Sequence, residues 1–218
     1  QKGFGGHYHN DNSLAIFRDI PGVILAVPSN GADAVKMLRT AVREAHENGR
    51  VVVFMEPIAL YMTKDLHEPK DGKWNFEYPD VKEEIPVGEF ATYGKGKALT
   101  IITYGNGLFL SLQAQKELEK KLKKKIKVID LRWLSDIDMP KLLKAIGTCE
   151  NILIVDECRR TGCHGEGLLA RLVSESKKPM NVRLHAAEDS FISLGVAATA
   201  TLPSKESIMK HALELVNE

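Results

Sequence analysis

Long apolar runs are missing from this 218-residue chain. No stretch approaches the about 20 residues that a bilayer-spanning helix needs, so no membrane-spanning helix is expected. Cysteine is scarce: Cys149, Cys158 and Cys163 are too few for a disulfide framework at this length and fit a reducing compartment. Neither sign of charge dominates, with 30 basic side chains against 29 acidic ones and a net charge of +1. Without a global field, neither a nucleic acid nor an anionic membrane is an expected partner. The start lacks the basic-then-apolar pattern of a secretory signal. It opens instead on Gln-Lys-Gly-Phe-Gly-Gly, which reads as the middle of a domain. Internal repeats and low-complexity tracts are also absent. What remains is an ordinary globular composition, 44% hydrophobic and 27% charged, sufficient for one large domain or two small ones.

Within that composition the pattern is an alternation of strands and helices. Val23–Val27, ended by Pro28, is a continuous apolar run of the kind buried in parallel sheets. Ser29 or Asn30 can cap a helix over 32–47, with Val35, Leu38, Val42 and Ala45 as its apolar stripe. Asn48-Gly49 ends that helix and Val51–Met55 is the next strand, completing a crossover unit. Pro69, Asp71-Gly72, Pro79, Pro86 and Gly94 then mark 61–96 as a linker or excursion. Beyond it, strands are expected over 98–103, 127–131, 151–156 and 182–185. Helices are expected over 108–124, 139–146, 165–176 and 205–216, the last opened by Ser204. The fold class is therefore α/β with a mostly parallel sheet covered on both faces. The run Lys120–Lys125 reads as the solvated end of a helix, where cations suit the dipole.

Candidate chemistry concentrates in a few places. His7 and His9 lie in the glycine-flanked polar loop Gly5–Ser13, immediately before the first strand. Neutral imidazoles there could move a proton near pH 7, chelate a metal, or simply be turn residues. Cys158 and Cys163 are separated by four residues, and Cys149 with His164 could complete a metal set, although Cys149 and Cys158 sit at opposite ends of one strand. Gly162-Cys163-His164-Gly165-Glu166-Gly167 is a glycine-rich turn into a helix. It could hold an anion or serve tight packing, and its spacing is not that of a dinucleotide fingerprint. Gly105-Asn106-Gly107 is a lesser turn of the same kind. Asp156-Glu157 falls at a strand's carboxyl end, the functional edge of such sheets, where a structural carboxylate is an equal reading.

Across these segments the chain resembles the beta subunit of thiamine-diphosphate-dependent 2-oxoacid dehydrogenases, the decarboxylase component of the pyruvate and branched-chain complexes. The residues that carry the likeness are Tyr8-His9, eleven further residues, Pro21-Gly22-Val23, the strand to Pro28, and Val51-Val52-Val53-Phe54-Met55-Glu56-Pro57. In the second half they are Val128–Arg132 with Asp136-Ile137-Asp138, Leu153–Glu157, and Gly162–Leu172, similar to the transketolase-type C-terminal domain. The resemblance implies three parts. Residues 1–60 would be the end of a pyrimidine-binding α/β domain, 61–96 a connection, and 97–218 a transketolase C-terminal-like domain.

By the same resemblance His9 matches the family's active-site histidine, which assists proton transfer and acyl handover to a lipoyl arm. The thiamine-activating glutamate belongs to a part preceding Gln1, and the diphosphate and Mg2+ sites belong to an alpha subunit or alpha-like domain. The implied partners are that subunit, a lipoyl-bearing acyltransferase core and a second copy of the chain, in a bacterial cytoplasm or a mitochondrial matrix. Two departures limit the transfer. The turn 44–50 is longer than its counterpart at a structural potassium site, and the proline pair expected near Asp189–Ile192 is missing. The alternatives are a transketolase or deoxyxylulose-phosphate synthase, disfavoured by Asn10, Asp11 and Asn12 where a phosphate would need basic residues, and a non-catalytic dimerisation or docking module.

Overall fold

The computed structural model describes residues 13–217. Two sheets organise them. The first pairs β1 (Ile24–Ala26) with β2 (Val52–Phe54) in parallel, joined through α1 (Gly31–Asn48). The second has five strands: β3 (Ala91–Tyr93), β4 (Thr100–Thr103), β5 (Lys127–Asp130), β6 (Asn151–Arg159) and β7 (Asn181–Ala187). Their order is β3-β5-β4-β6-β7, and every pairing is parallel except that of β3 on β5.

The helices of the larger unit cover both faces of its sheet. On one side α2 (Asn106–Leu122) and α5 (Lys205–Asn217) pack Leu108, Leu118, Ile208 and Leu215 onto Ile101, Val128 and Leu153. On the other, α3 (Met139–Ile146) and α4 (His164–Glu175) pack Leu142, Ile146, Leu168 and Leu172 onto Ile102, Ile129 and Ile154. This two-sided burial is why β4 and β6 read as unbroken apolar runs rather than alternating ones. The local signals are the expected ones. Asn30 and Asp138 each accept the backbone N–H three residues on at 2.9 Å, and Gly49 ends α1 at φ +63°.

Two expectations need correction. The stripe Val35, Leu38, Val42 and Ala45 does not face the core: Leu38 is 48% and Val42 61% exposed. Helix α1 instead buries Asp33, Met37, Thr40 and Ala41, which also recur at helical spacing. Specific polar bonds orient it, because the Thr40 hydroxyl donates to Ile85 O at 2.8 Å and Asp33 is paired with Arg132. Second, the stretch 61–96 contains β3 and two deeply buried anchors, Trp74 and Ile85. Asp71 organises its turn by accepting the N–H groups of Leu66, His67, Glu68 and Lys73, which hold its carboxyl well below the usual carboxylate range although partial burial opposes them.

Candidate functional site

The carboxyl ends of both sheets meet. After β1 the chain runs Val27 to Gly31, after β2 it runs Glu56-Pro57, and after β4 it turns through Tyr104-Gly105. A Cβ at Gly105 would stand 3.2 Å from Val27 Cγ1 and 3.5 Å from Pro57 Cγ. Its φ of +54° with ψ of −133° is a conformation open in practice only to glycine. Beside this contact lies a cleft of about 380 Å³, walled by Ser29, Gly31, Glu56, Tyr61, Lys64 and Trp74. Tyr61 donates its hydroxyl to Glu56, which raises the phenol's pKa. Crevices outside the carboxyl ends of α/β strands are the usual ligand sites of such folds.

A buried polar junction ties the two units together. Arg132, held at φ +61°, directs Nε and Nη2 onto one oxygen of Asp33 at 2.8 and 2.7 Å. Asp130 is fully buried beside them. Burial pushes its carboxyl up to about 7, against the pull of Arg132 and with reinforcement from Asp33.

Asp156 and Glu157 lie at the carboxyl end of β6 as expected, and Asp156 is structural. It accepts the Tyr104 hydroxyl at 2.5 Å, Cys158 N at 2.8 Å and Gly165 N at 2.8 Å, so it fills the amino end of α4. Glu157 accepts from Asn106 Nδ2 at 2.6 Å. Gly162 N is taken by Glu166 at 2.7 Å. The glycine-rich turn is thus satisfied internally, and Gly165 serves packing: a Cβ there would lie 2.6 Å from Leu184 Cδ1. The three cysteines are buried and free. Burial, followed by the Asp156 charge, raises Cys158 far above an ordinary thiol and Cys163 up to about 12, which makes both inert. Among the described residues no set of three His, Cys, Asp or Glu side chains could hold a metal ion.

His7 and His9 lie outside the described residues. The helical turn Leu14–Asp19 is fastened to the turn between β6 and α4. Arg159 Nη2 donates to Ser13 Oγ at 2.9 Å, and His164 Nε2 donates to Leu14 O at 3.2 Å. Arg18 Nη1 donates to Gly162 O at 3.0 Å and Cys163 O at 2.6 Å. His164 is shifted toward neutrality chiefly by burial, consistent with a neutral donor. Residues 13–18 therefore sit at the carboxyl edge of the larger sheet. Sequence reading missed Arg18 and Arg159; the accessible signal was Gly167, whose missing Cβ leaves room for the Arg18 guanidinium at 3.1 Å.

A two-sided α/β sheet with one antiparallel edge strand and a carboxyl edge built this way has known relatives. The family model "Transketolase, C-terminal domain" matches residues 88–199, just over half of the chain, and the chain belongs to that family. It is 29% identical over 160 residues to the mitochondrial 2-oxoisovalerate dehydrogenase subunit beta of Dictyostelium discoideum, covering 73% of this chain and 40% of that one. With the pyruvate dehydrogenase E1 component subunit beta of Staphylococcus aureus it shares 27% identity over 218 residues, covering 97% of this chain and 62% of the relative. The chain thus spans less than two thirds of the length of these relatives, which are beta subunits of the 2-oxoacid dehydrogenases that the sequence motifs resemble. Among solved structures it is similar to a split-gene transketolase described as an inactive beta4 tetramer, with a TM-score of 0.73, 19% identity, and coverage of 97% of this chain and 63% of the other. A transketolase from Pichia stipitis matches with a TM-score of 0.56 and 16% identity, covering 97% of this chain and 28% of that one. These two likenesses are of fold.

Proposed function

We propose that this chain is the C-terminal portion of the beta subunit, or beta-like half, of a 2-oxoacid dehydrogenase decarboxylase component. The observation that carries the reading is co-linear similarity to a pyruvate dehydrogenase beta subunit over 97% of the chain, through both sheets and the connection between them. The intact protein would oxidatively decarboxylate a 2-oxoacid and pass the acyl group to a lipoyl arm. It would use thiamine diphosphate and Mg2+ with an alpha subunit and an acyltransferase core as partners. The corresponding domain division is 1–60, 61–96 and 97–218, with β3 of the middle part pairing onto the larger sheet. The compartment is a bacterial cytoplasm or a mitochondrial matrix, as relatives of both origins suggest.

At two helix ends, and in their lack of a metal-binding cluster, the described residues do not fit a diphosphate and its metal. The amino end of α4 is filled by Asp156, that of α1 is capped by Asn30, and no metal-binding group is present among them. Diphosphate and metal contacts are therefore assigned to other parts of the assembly. His9 is the catalytic residue of the reading. General acid–base help at such a position is worth about 10²–10⁴-fold. It lies four positions before Ser13, a chain reach of at most about 14 Å.

The same misfit favours a second reading, in which this chain by itself only associates and docks. A structural neighbour described as an inactive beta4 tetramer supports both that view and self-association. Titrating thiamine diphosphate and Mg2+ into the chain alone, then into its assembly with the alpha partner, separates the two. Binding confined to the assembly, with turnover of pyruvate or a branched-chain 2-oxoacid, supports the decarboxylase. Absence of turnover in the assembly leaves the docking module.

A further inference from the structure

The stretch 61–96 does more than connect the two units. It folds against α2 and leaves a groove of about 620 Å³, with Leu66, Trp74, Phe76, Tyr93 and Leu112 as apolar walls. A volume of that size is within the range of ligand sites, about 300–1,000 Å³. The walls are held from behind. Trp74 is buried and meets Phe109 edge-on at 5.2 Å and Phe76 at 5.3 Å. Gln113 Nε2 donates to Leu66 O at 2.6 Å, and Asp71 fixes the turn between Leu66 and Trp74 through four backbone N–H groups. Phe76 nevertheless stays 43% exposed. An aromatic wall left open on a rigid concave surface is available to a partner.

The rim is cationic. Lys73, Lys95, Lys116 and Lys125 reach it from different segments. Lys116 is paired with Glu68 at 3.1 Å and Lys125 with Glu119 at 2.7 Å. Lys73 and Lys95 have no ion-pair partner among the described residues. Burial, then the charges of Lys116 and Lys73, shift His67 in the same groove toward neutrality, against Asp71 and Glu68. Residues 93–127 hold nine lysines against two glutamates, while the rest of the chain holds 21 basic and 27 acidic side chains. That distribution selects the occupant. Phosphates are commonly held by a helix amino end or an arginine fork, and neither lines this groove among the described residues. The end of α2 beside it is the carboxyl one, where partial negative charge gathers. A long polyanion or an anionic membrane would run off the lysines onto the acidic remainder. Separate ammonium groups on flexible stems suit carboxylates spaced along a chain. We infer that this groove docks a short acidic segment of a partner protein. An aromatic or leucine side chain of that segment lies against Phe76 and Trp74, and its carboxylates meet Lys73 and Lys95.

The test is fluorescence anisotropy with the intact protein and a labelled synthetic peptide, Asp-Glu-Leu-Trp-Glu-Asp. Saturable binding with a Kd below about 100 μM is expected. It should weaken about tenfold or more in Lys73→Glu with Lys95→Glu, and about threefold or more in Phe76→Ala. These three side chains are exposed, so an unchanged melting temperature is expected in each variant. Lys177→Glu with Lys178→Glu makes the same charge change in the loop before β7, at the opposite edge of the sheet from β3. That pair should weaken binding by less than about twofold. Equal losses in the two lysine pairs would mean that net charge alone attracts the peptide, and would overturn the inference. So would tighter binding of inorganic tripolyphosphate, of a single-stranded oligonucleotide or of phosphatidylserine vesicles than of the peptide. Absence of saturable peptide binding overturns it as well. The readout needs no turnover, so its outcome is separate from that of the decarboxylase reading.

Discussion

The two sheets are finished to different degrees. In the five-stranded unit β4 is wholly buried, β6 nearly so, and helices cover both faces. In the two-stranded unit every residue of β2 is only half-buried, and the apolar stripe of α1 faces outward. A pair of short parallel strands with one helix cannot bury its own surface, and parallel sheets normally occur covered on both sides. It borrows what stability it has from the larger unit. Trp133, fully buried, packs from the loop after β5 among Ile24, Ala26, Met37 and Ile85. Leu134 N reaches Leu25 O at 2.8 Å. The larger unit buries its own sheet, whereas the smaller one takes part of its core from the larger.

The largest break in that contrast should come from Trp133→Ala. Removing a fully buried indole typically costs about 3–5 kcal/mol. Here the loss should fall on one side: amides of β1, β2 and α1 lose exchange protection while those of β4 and β6 retain it. Uniform loss of protection across both sheets would mean the two units unfold as one.

A smaller effect comes from the junction between them. The fold raises the Asp130 carboxyl from 3.8 to about 7, so the folded state favours its protonated form. Its contribution is fully present below pH 3.8 and is lost as pH rises through 7. The slope is no steeper than about 1.4 kcal/mol per pH unit. The groups facing it are Arg132, Asp33 and Tyr93, with Lys36 beyond Asp33 at 3.9 Å. The urea midpoint of the wild type relative to Asp130→Asn should therefore decline between pH 4 and 7, a difference that cancels the opposite contribution of histidines such as His164 and His185, which burial shifts down. A difference that stays constant or rises over the same interval contradicts the assignment.

The smallest effect sharpens the comparison. Leu38→Lys, on the outward stripe of α1, should change the stability of this chain by less than about 0.5 kcal/mol by urea denaturation. The same change at buried Leu118 should unfold the larger unit.

Much of this architecture was legible because its signals are local. Asn30, Asp138 and Gly49 mark helix ends by their own hydrogen-bonding and backbone chemistry, and the Ile/Leu/Val runs mark strands buried on two sides. What escaped was set by distant partners. Ala91-Thr92-Tyr93 becomes a strand only because β5 offers its edge. The facing of α1 is decided by Ile85 and Arg132, which lie 45 and 99 residues from their partners on the helix. The anchoring of residues 13–18 depends on contacts across 144 to 150 positions, which no periodicity reveals. Asp156 was legible as a carboxylate at the right edge, but its three donors decide that it is structural. His9 was legible through family resemblance, and it precedes the first described residue.

The most direct test of the account is 2-oxoacid turnover by the intact protein assembled with its alpha partner, thiamine diphosphate and Mg2+, compared between wild type and His9→Ala. The account predicts turnover by the wild type and a loss of about 10²–10⁴-fold in the variant at unchanged melting temperature. Equal rates in the two proteins would contradict it.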